Sequence, residues 1–179
     1  LEQKLKAFHH PAAKVVPMKF AAKKWLVAAS TIAVILTAGW FLFLKKAPNE
    51  KVFASYFRPD PGLPTTMSSS DAYEFEKAMI DYKNGDYQRA IDNWKKQVKN
   101  DTLTYFIGLA YQSLNNNKEA INLLTQVAND PNKPFYKDAC WYLGLALLKE
   151  KDFSKAISYI EKSENPQKEA LVKAIKEIQ

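Results

Sequence analysis

The sequence predicts an all-α protein: a single transmembrane helix near the amino end, then a three-repeat helical solenoid closed by a C-terminal capping helix. Three observations carry that expectation. An uncharged apolar run fills residues 25–44, prolines and serines crowd residues 45–70, and one helix-turn-helix pattern recurs three times within residues 71–179. The chain thus divides into a basic N-terminal segment (1–24), a transmembrane helix (25–44), a Pro/Ser-rich linker (45–70) and a repeat domain (71–179).

Charge separates the first segment from the last. Residues 1–24 hold six lysines against one glutamate, residues 25–70 four basic against two acidic groups, and residues 71–179 sixteen of each sign. The net +7 of the chain therefore lies outside the part expected to fold. Nucleic-acid binding needs Lys and Arg concentrated on a folded domain, where they displace counterions from phosphates. The imbalance argues for membrane topology, and no nucleic-acid partner is expected. LEQKLKAF (1–8) reads as the end of a helix rather than a start, which leaves room for a cytoplasmic portion ahead of it.

The run Trp25–Leu44 contains no charged residue. At about 1.5 Å per residue it reaches about 30 Å, the thickness of a hydrocarbon core. Ten of its residues are Leu, Ile, Val or Phe, for an insertion gain of about 3–6 kcal/mol. Lys23-Lys24 and Lys45-Lys46 bracket it, with Trp25 at one boundary and Trp40, Phe41 and Phe43 near the other, where interfacial belts place aromatic rings. A cleaved signal peptide fits less well, because its apolar core is shorter and ends in small residues. Five lysines on the amino side against four basic groups on the carboxyl side favour a cytoplasmic amino end and a translocated repeat domain.

The linker carries Pro48, Pro59, Pro61, Gly62, Pro64 and Ser68-Ser69-Ser70, breakers that no long helix tolerates. VFASYF (52–57) is more apolar than a free tether needs, so it either dips into the membrane interface or packs on the domain that follows, of which packing is the expectation.

Three segments align in that domain: AMIDYKNGDYQRAI (78–91), GLAYQSLNNNKEAI (108–121) and GLALLKEKDFSKAI (144–157). Each has a small residue (Ala78, Gly108, Gly144) and, twelve positions on, an alanine followed by isoleucine (Ala90, Ala120, Ala156). Small side chains at both points let two antiparallel helices approach, and Asn84-Gly85-Asp86 or Asn115-Asn116-Asn117 breaks the chain between them. A last helix, Pro166 to Ile178, places Ala170, Leu171, Ala174, Ile175 and Ile178 on one face and reads as a cap.

The pairs Ile107-Gly108 with Tyr111 and Ala120, and Leu143-Gly144 with Ala156, resemble the tetratricopeptide repeat (TPR) family over residues 71–163. The first copy departs from the pattern, with Lys77, Ala78 and Asp81 where the family has Leu, Gly and Tyr. With the span and linker, the chain looks like the single-pass repeat proteins of Gram-negative envelopes. The resemblance implies a groove lined by the first helix of each pair, here by Phe75, Met79 and Tyr82, then Tyr105, Leu109 and Gln112, then Trp141, Leu145 and Leu148. Two readings of these residues stand side by side. They capture a protein or peptide partner, or they pack neighbouring helices and are covered by the linker or the final helix.

Residues for chemistry are scarce. Both histidines, His9 and His10, lie in the N-terminal segment, and Cys140 sits between Ala139 and Trp141 in a helix expected to be buried. No nucleophile, phosphate-loop or metal motif occurs, so no catalytic residue, cofactor or metal is expected. Asn100-Asp101-Thr102 matches a glycosylation sequon. The expected function is a non-enzymatic adaptor held in the inner membrane, acting as a chaperone or assembly factor. The alternatives are a fixed accessory subunit of an envelope complex, and a transmembrane regulator of anti-sigma type acting through a cytoplasmic portion.

Overall fold

Eight α-helices and no strand make up the described residues, 47–65 and 70–179 of the computed structural model. The basic segment 1–24 and the span expected at 25–44 lie outside them. Among the described residues no helix is long and apolar enough to cross a membrane.

Three helix pairs follow one another: α2 (Ser70–Lys83) with α3 (Tyr87–Trp94), α4 (Asp101–Ser113) with α5 (Asn117–Ala128), and α6 (Tyr136–Lys149) with α7 (Phe153–Lys162). Each helix packs on the next, and α8 (Lys168–Ile178) packs on α7. One turn geometry closes all three pairs. Gly85, Asn115 and Lys151 have positive φ (85°, 67° and 62°). Their N–H groups donate to the carbonyls of Tyr82, Gln112 and Leu148, and the next N–H groups (Asp86, Asn116, Asp152) donate to Asp81, Tyr111 and Leu147. This left-handed closure satisfies carbonyls that a helix end otherwise leaves without partners. Asn116 and Asp152 then cap the second helix, accepting from the N–H groups of Glu119 (3.5 Å) and Lys155 (3.3 Å). Asn100 caps α4 in the same way, through the N–H of Leu103 at 2.8 Å, so the sequon asparagine is engaged in holding the helix start.

The small residues act where the repeat pattern put them. A Cβ on Gly108 would stand 3.0 Å from Leu124 Cγ, and one on Gly144 would stand 2.4 Å from Ile160 Cγ1. Ala78, Ala90, Ala120 and Ala156 are fully buried, and the core between the pairs is filled by Trp94, Phe106, Leu124, Leu143 and Ile160.

Two elements differ from expectation. The linker contains a helix, α1 (Pro48–Tyr56), packed on α6 and α8. Pro48 occupies its first turn, where a missing N–H costs nothing because that donor has no intrahelical partner. Extended chain begins at Phe57, and Pro59 pushes the residue before it away from helical geometry. The capping helix starts at Lys168 rather than Pro166, with Val172 buried and Ala170 exposed. It meets α1 as well as α7, so its apolar stripe is rotated and widened relative to that of a helix with one neighbour.

Candidate functional site

The first helices α2, α4 and α6 carry the nine side chains that the repeat resemblance assigns to a groove, and the fold buries nearly all of them. Met79, Tyr82, Tyr105, Leu109, Gln112, Trp141, Leu145 and Leu148 are all 4% exposed or less. Phe75 is half-buried and turned toward α3: its ring centroid lies 6.0 Å from that of Trp94, whose indole N–H donates to the Phe75 carbonyl at 3.3 Å. Gln112 donates its amide to the Tyr142 carbonyl on the next first helix, at 2.9 Å.

The chain's own segment 48–65 reaches this face. At its amino end the Asn49 amide, 4% exposed, donates to the carbonyls of Leu148 (3.4 Å) and Lys149 (2.9 Å) at the end of α6. The Leu148 carbonyl already accepts from the Lys151 N–H in the turn, whereas the Lys149 carbonyl, one of the four that a helix C-terminus leaves open, takes its partner from Asn49, a cap from outside the repeat. The Lys149 ammonium lies 4.6 Å from the Phe53 ring centroid and 3.8 Å from Glu50, and donates to Asn115 in the preceding turn. A buried cation is thus surrounded by a ring face, a carboxylate and an amide oxygen, as burial of a charge requires.

Beyond α1 the chain crosses the face in extended form, opposite to the order of the repeats. Phe57 stacks on Phe53 at 4.8 Å and meets Tyr142 edge-on at 6.2 Å. The hydroxyls of three tyrosines, one from each first helix, then hold the segment. Tyr142 donates to the Arg58 carbonyl, Tyr105 to Asp60 Oδ2 and Tyr82 to the Asp60 carbonyl, each at 3.0 Å. The other carboxylate oxygen of Asp60 accepts from Gly62 N–H at 2.8 Å, an Asx turn.

Electrostatics around this clamp follow from burial. All three tyrosine hydroxyls have pKa values pushed well above 10, chiefly by desolvation and next by the negative charge of Asp60, so they remain neutral donors. Asp138 is raised as well, by burial first and by the Asp60 carboxylate second.

Two of the three clamp tyrosines are in the residue set expected from sequence. Tyr142, Asp60, Gly62 and Asn49 are not. The tyrosines occupy different repeat registers, Tyr82 four after Ala78, Tyr105 three before Gly108 and Tyr142 two before Gly144, so no periodicity groups them. Asp60-Pro61-Gly62 has the composition of a turn former, a local signal that could have singled out Asp60 but not its tyrosine partners.

A hollow of about 250 Å³ lies elsewhere, between α3, α4 and α5, lined by Trp94, Leu103, Ile107, Tyr111 and Leu123 and bridged by Lys95 Nζ, which donates to the Tyr111 hydroxyl at 2.6 Å. Cys140 is fully buried and burial pushes its thiol pKa up, which disfavours the reactive thiolate. Among the described residues no group of three His, Cys, Asp or Glu is placed to hold a metal ion.

No protein-family model matches the chain, and no curated protein matches it.

Proposed function

We propose that this protein is a membrane-anchored adaptor of the tetratricopeptide kind, with residues 25–44 in the inner membrane, the amino end in the cytoplasm and the repeat domain in the periplasm. It works as a chaperone or assembly factor that holds a protein or peptide segment against the face of α2, α4 and α6. The observation that carries this reading is the extended chain already lying there, gripped by tyrosines of all three first helices. A surface that holds a proline-containing extended segment through hydrogen bonds to its main-chain carbonyls and an edge-on ring contact has the chemistry of peptide recognition. Three repeats suffice to form one continuous core, so the domain is large enough to present such a face alone.

A fixed accessory subunit is the second reading, favoured by how deeply Asn49 and Phe53 are set. Its partner would meet other surfaces, where Val98 (88% exposed) and Tyr73 (58%) stand out.

Tagged full-length protein extracted in mild detergent separates the two. Under the adaptor reading, Tyr105→Phe with Tyr142→Phe changes recovery of the co-purifying protein at least fivefold, while Val98→Asp leaves it intact. The reverse pattern selects the fixed subunit. Release of the protein from membranes by alkaline carbonate would remove the anchor from the proposal, and protection of the repeat domain from protease in spheroplasts would invert the topology.

A further inference from the structure

The contacts that hold residues 53–63 divide into those that any peptide offers and those that select. Tyr142 and Tyr82 read only the carbonyls of Arg58 and Asp60. Tyr105 reads a carboxylate, Asp60 Oδ2, whose geometry is fixed by the turn to Gly62 N–H. Gly62 has φ +79°, and a Cβ there would fall 2.7 Å from Met79 Sδ and 3.2 Å from Lys83 Cε. The positive φ favours glycine two residues after the aspartate, and any other residue would also have to displace the Met79 side chain. Three residues before the aspartate, Phe57 stacks on Phe53 and abuts Tyr142.

The segment also has the character of an exchangeable ligand. Arg58, Pro59, Pro61 and Pro64 stay exposed, so only one edge of the extended chain faces the tyrosines. Pro59 and Pro61 fix φ in advance and reduce the ordering entropy that docking costs.

We propose that the face of α2, α4 and α6 is a peptide site selective for an aromatic residue followed three positions later by an Asp-x-Gly turn, and that residues 53–63 fill it in cis until a partner segment of the same chemistry replaces them. This rests on the reading of that face as the partner surface. A tethered occupant is present at an effective concentration of about millimolar, so an outside peptide competes poorly until the tether's own contacts are weakened.

The test uses the full-length protein in detergent micelles and a fluorescent peptide, FASYFRPDPGL, the sequence of residues 53–63. In the variant Asn49→Ala with Asp60→Ala, which loosens the internal segment and leaves every groove tyrosine in place, the peptide binds at least tenfold tighter than in wild type. Peptides carrying alanine at the aspartate or the glycine bind that variant at least tenfold more weakly. Equal binding of all three peptides overturns the selectivity and leaves the groove as a general partner surface. Absence of binding to a variant with unchanged helical circular dichroism overturns the inference, while the groove reading then stands or falls on the capture experiment above. If the variant unfolds, hydrogen exchange in wild type decides. Millimolar peptide speeds exchange of the Phe57 and Gly62 amides at least tenfold and the alanine peptides do not; unchanged protection overturns the proposal.

Discussion

Gly144 and Gly108 hold the same repeat position but differ in what faces them. At Gly144 an added methyl would meet the Ala156 carbonyl at 3.1 Å as well as Ile160 Cγ1 at 2.4 Å, so backbone must move; at Gly108 only the Leu123 and Leu124 side chains lie in the way. Replacing a helical glycine by alanine gains up to about 1 kcal/mol in propensity, against about 1–3 kcal/mol for overpacking. Gly144→Ala is expected to destabilise by up to about 2 kcal/mol net and Gly108→Ala to lie within about 1 kcal/mol of neutral, as denaturant midpoints will show. Tyr82, Tyr105 and Tyr142 make a second residue-scale prediction. Their folded pKa values are raised above the ordinary 10.0, so the unfolded chain loses these protons first. Their contribution is complete below about pH 10 and is lost as pH rises toward the folded values, by about 1.4 kcal/mol per pH unit for each tyrosine. Melting at pH 8, 10 and 11 measures it, and Tyr105→Phe removes one tyrosine's share and so separates it from the titration of lysines.

The repeated turn is the informative element. Gly85, Asn115 and Lys151 adopt the same left-handed conformation, although only the first is glycine. Asn tolerates it through its short polar side chain, whereas Lys carries a Cβ penalty of about 1 kcal/mol or more. Lys151→Gly is therefore expected to raise stability by about 0.5–1 kcal/mol, net of the entropy glycine adds to the unfolded chain; a lowered melting temperature would contradict it. Asn100→Ala removes the cap on α4 and is expected to cost about 1 kcal/mol. These turns were legible in the sequence, because Asn-Gly-Asp and Asn-Asn-Asn are turn formers by composition. Lys151-Asp152 was visible only by alignment with the other two copies.

At the scale of the molecule, the segment from Pro48 to Thr65 joins the two ends of the stack, touching α8 and α6 through its helix and α4 and α2 through its extended part. Removing the Asn49 amide leaves the end of α6 without its outside cap, at a cost of about 1–3 kcal/mol for a carbonyl left unpaired. Asn49→Ala is expected to leave the repeats folded while opening the segment locally. Chymotrypsin would then cut at Phe53 or Phe57 several-fold faster than in wild type, with helical circular dichroism little changed. A cleavage rate equal to wild type would show that the rings, not the cap, hold it.

Amino-acid order alone determined that residues 71–179 form paired helices, where each pair turns and which small residues let the helices meet, because these depend on spacing within about 30 residues of chain. It also marked VFASYF as too apolar to remain in water. Only the tertiary structure decided what covers the face of the first helices. The bonds from Tyr82, Tyr105 and Tyr142 to Asp60 and Arg58 span sequence separations of 22 to 84 residues, and contacts between groups so far apart follow from how the leading segment lies across the assembled first helices, which no local pattern encodes.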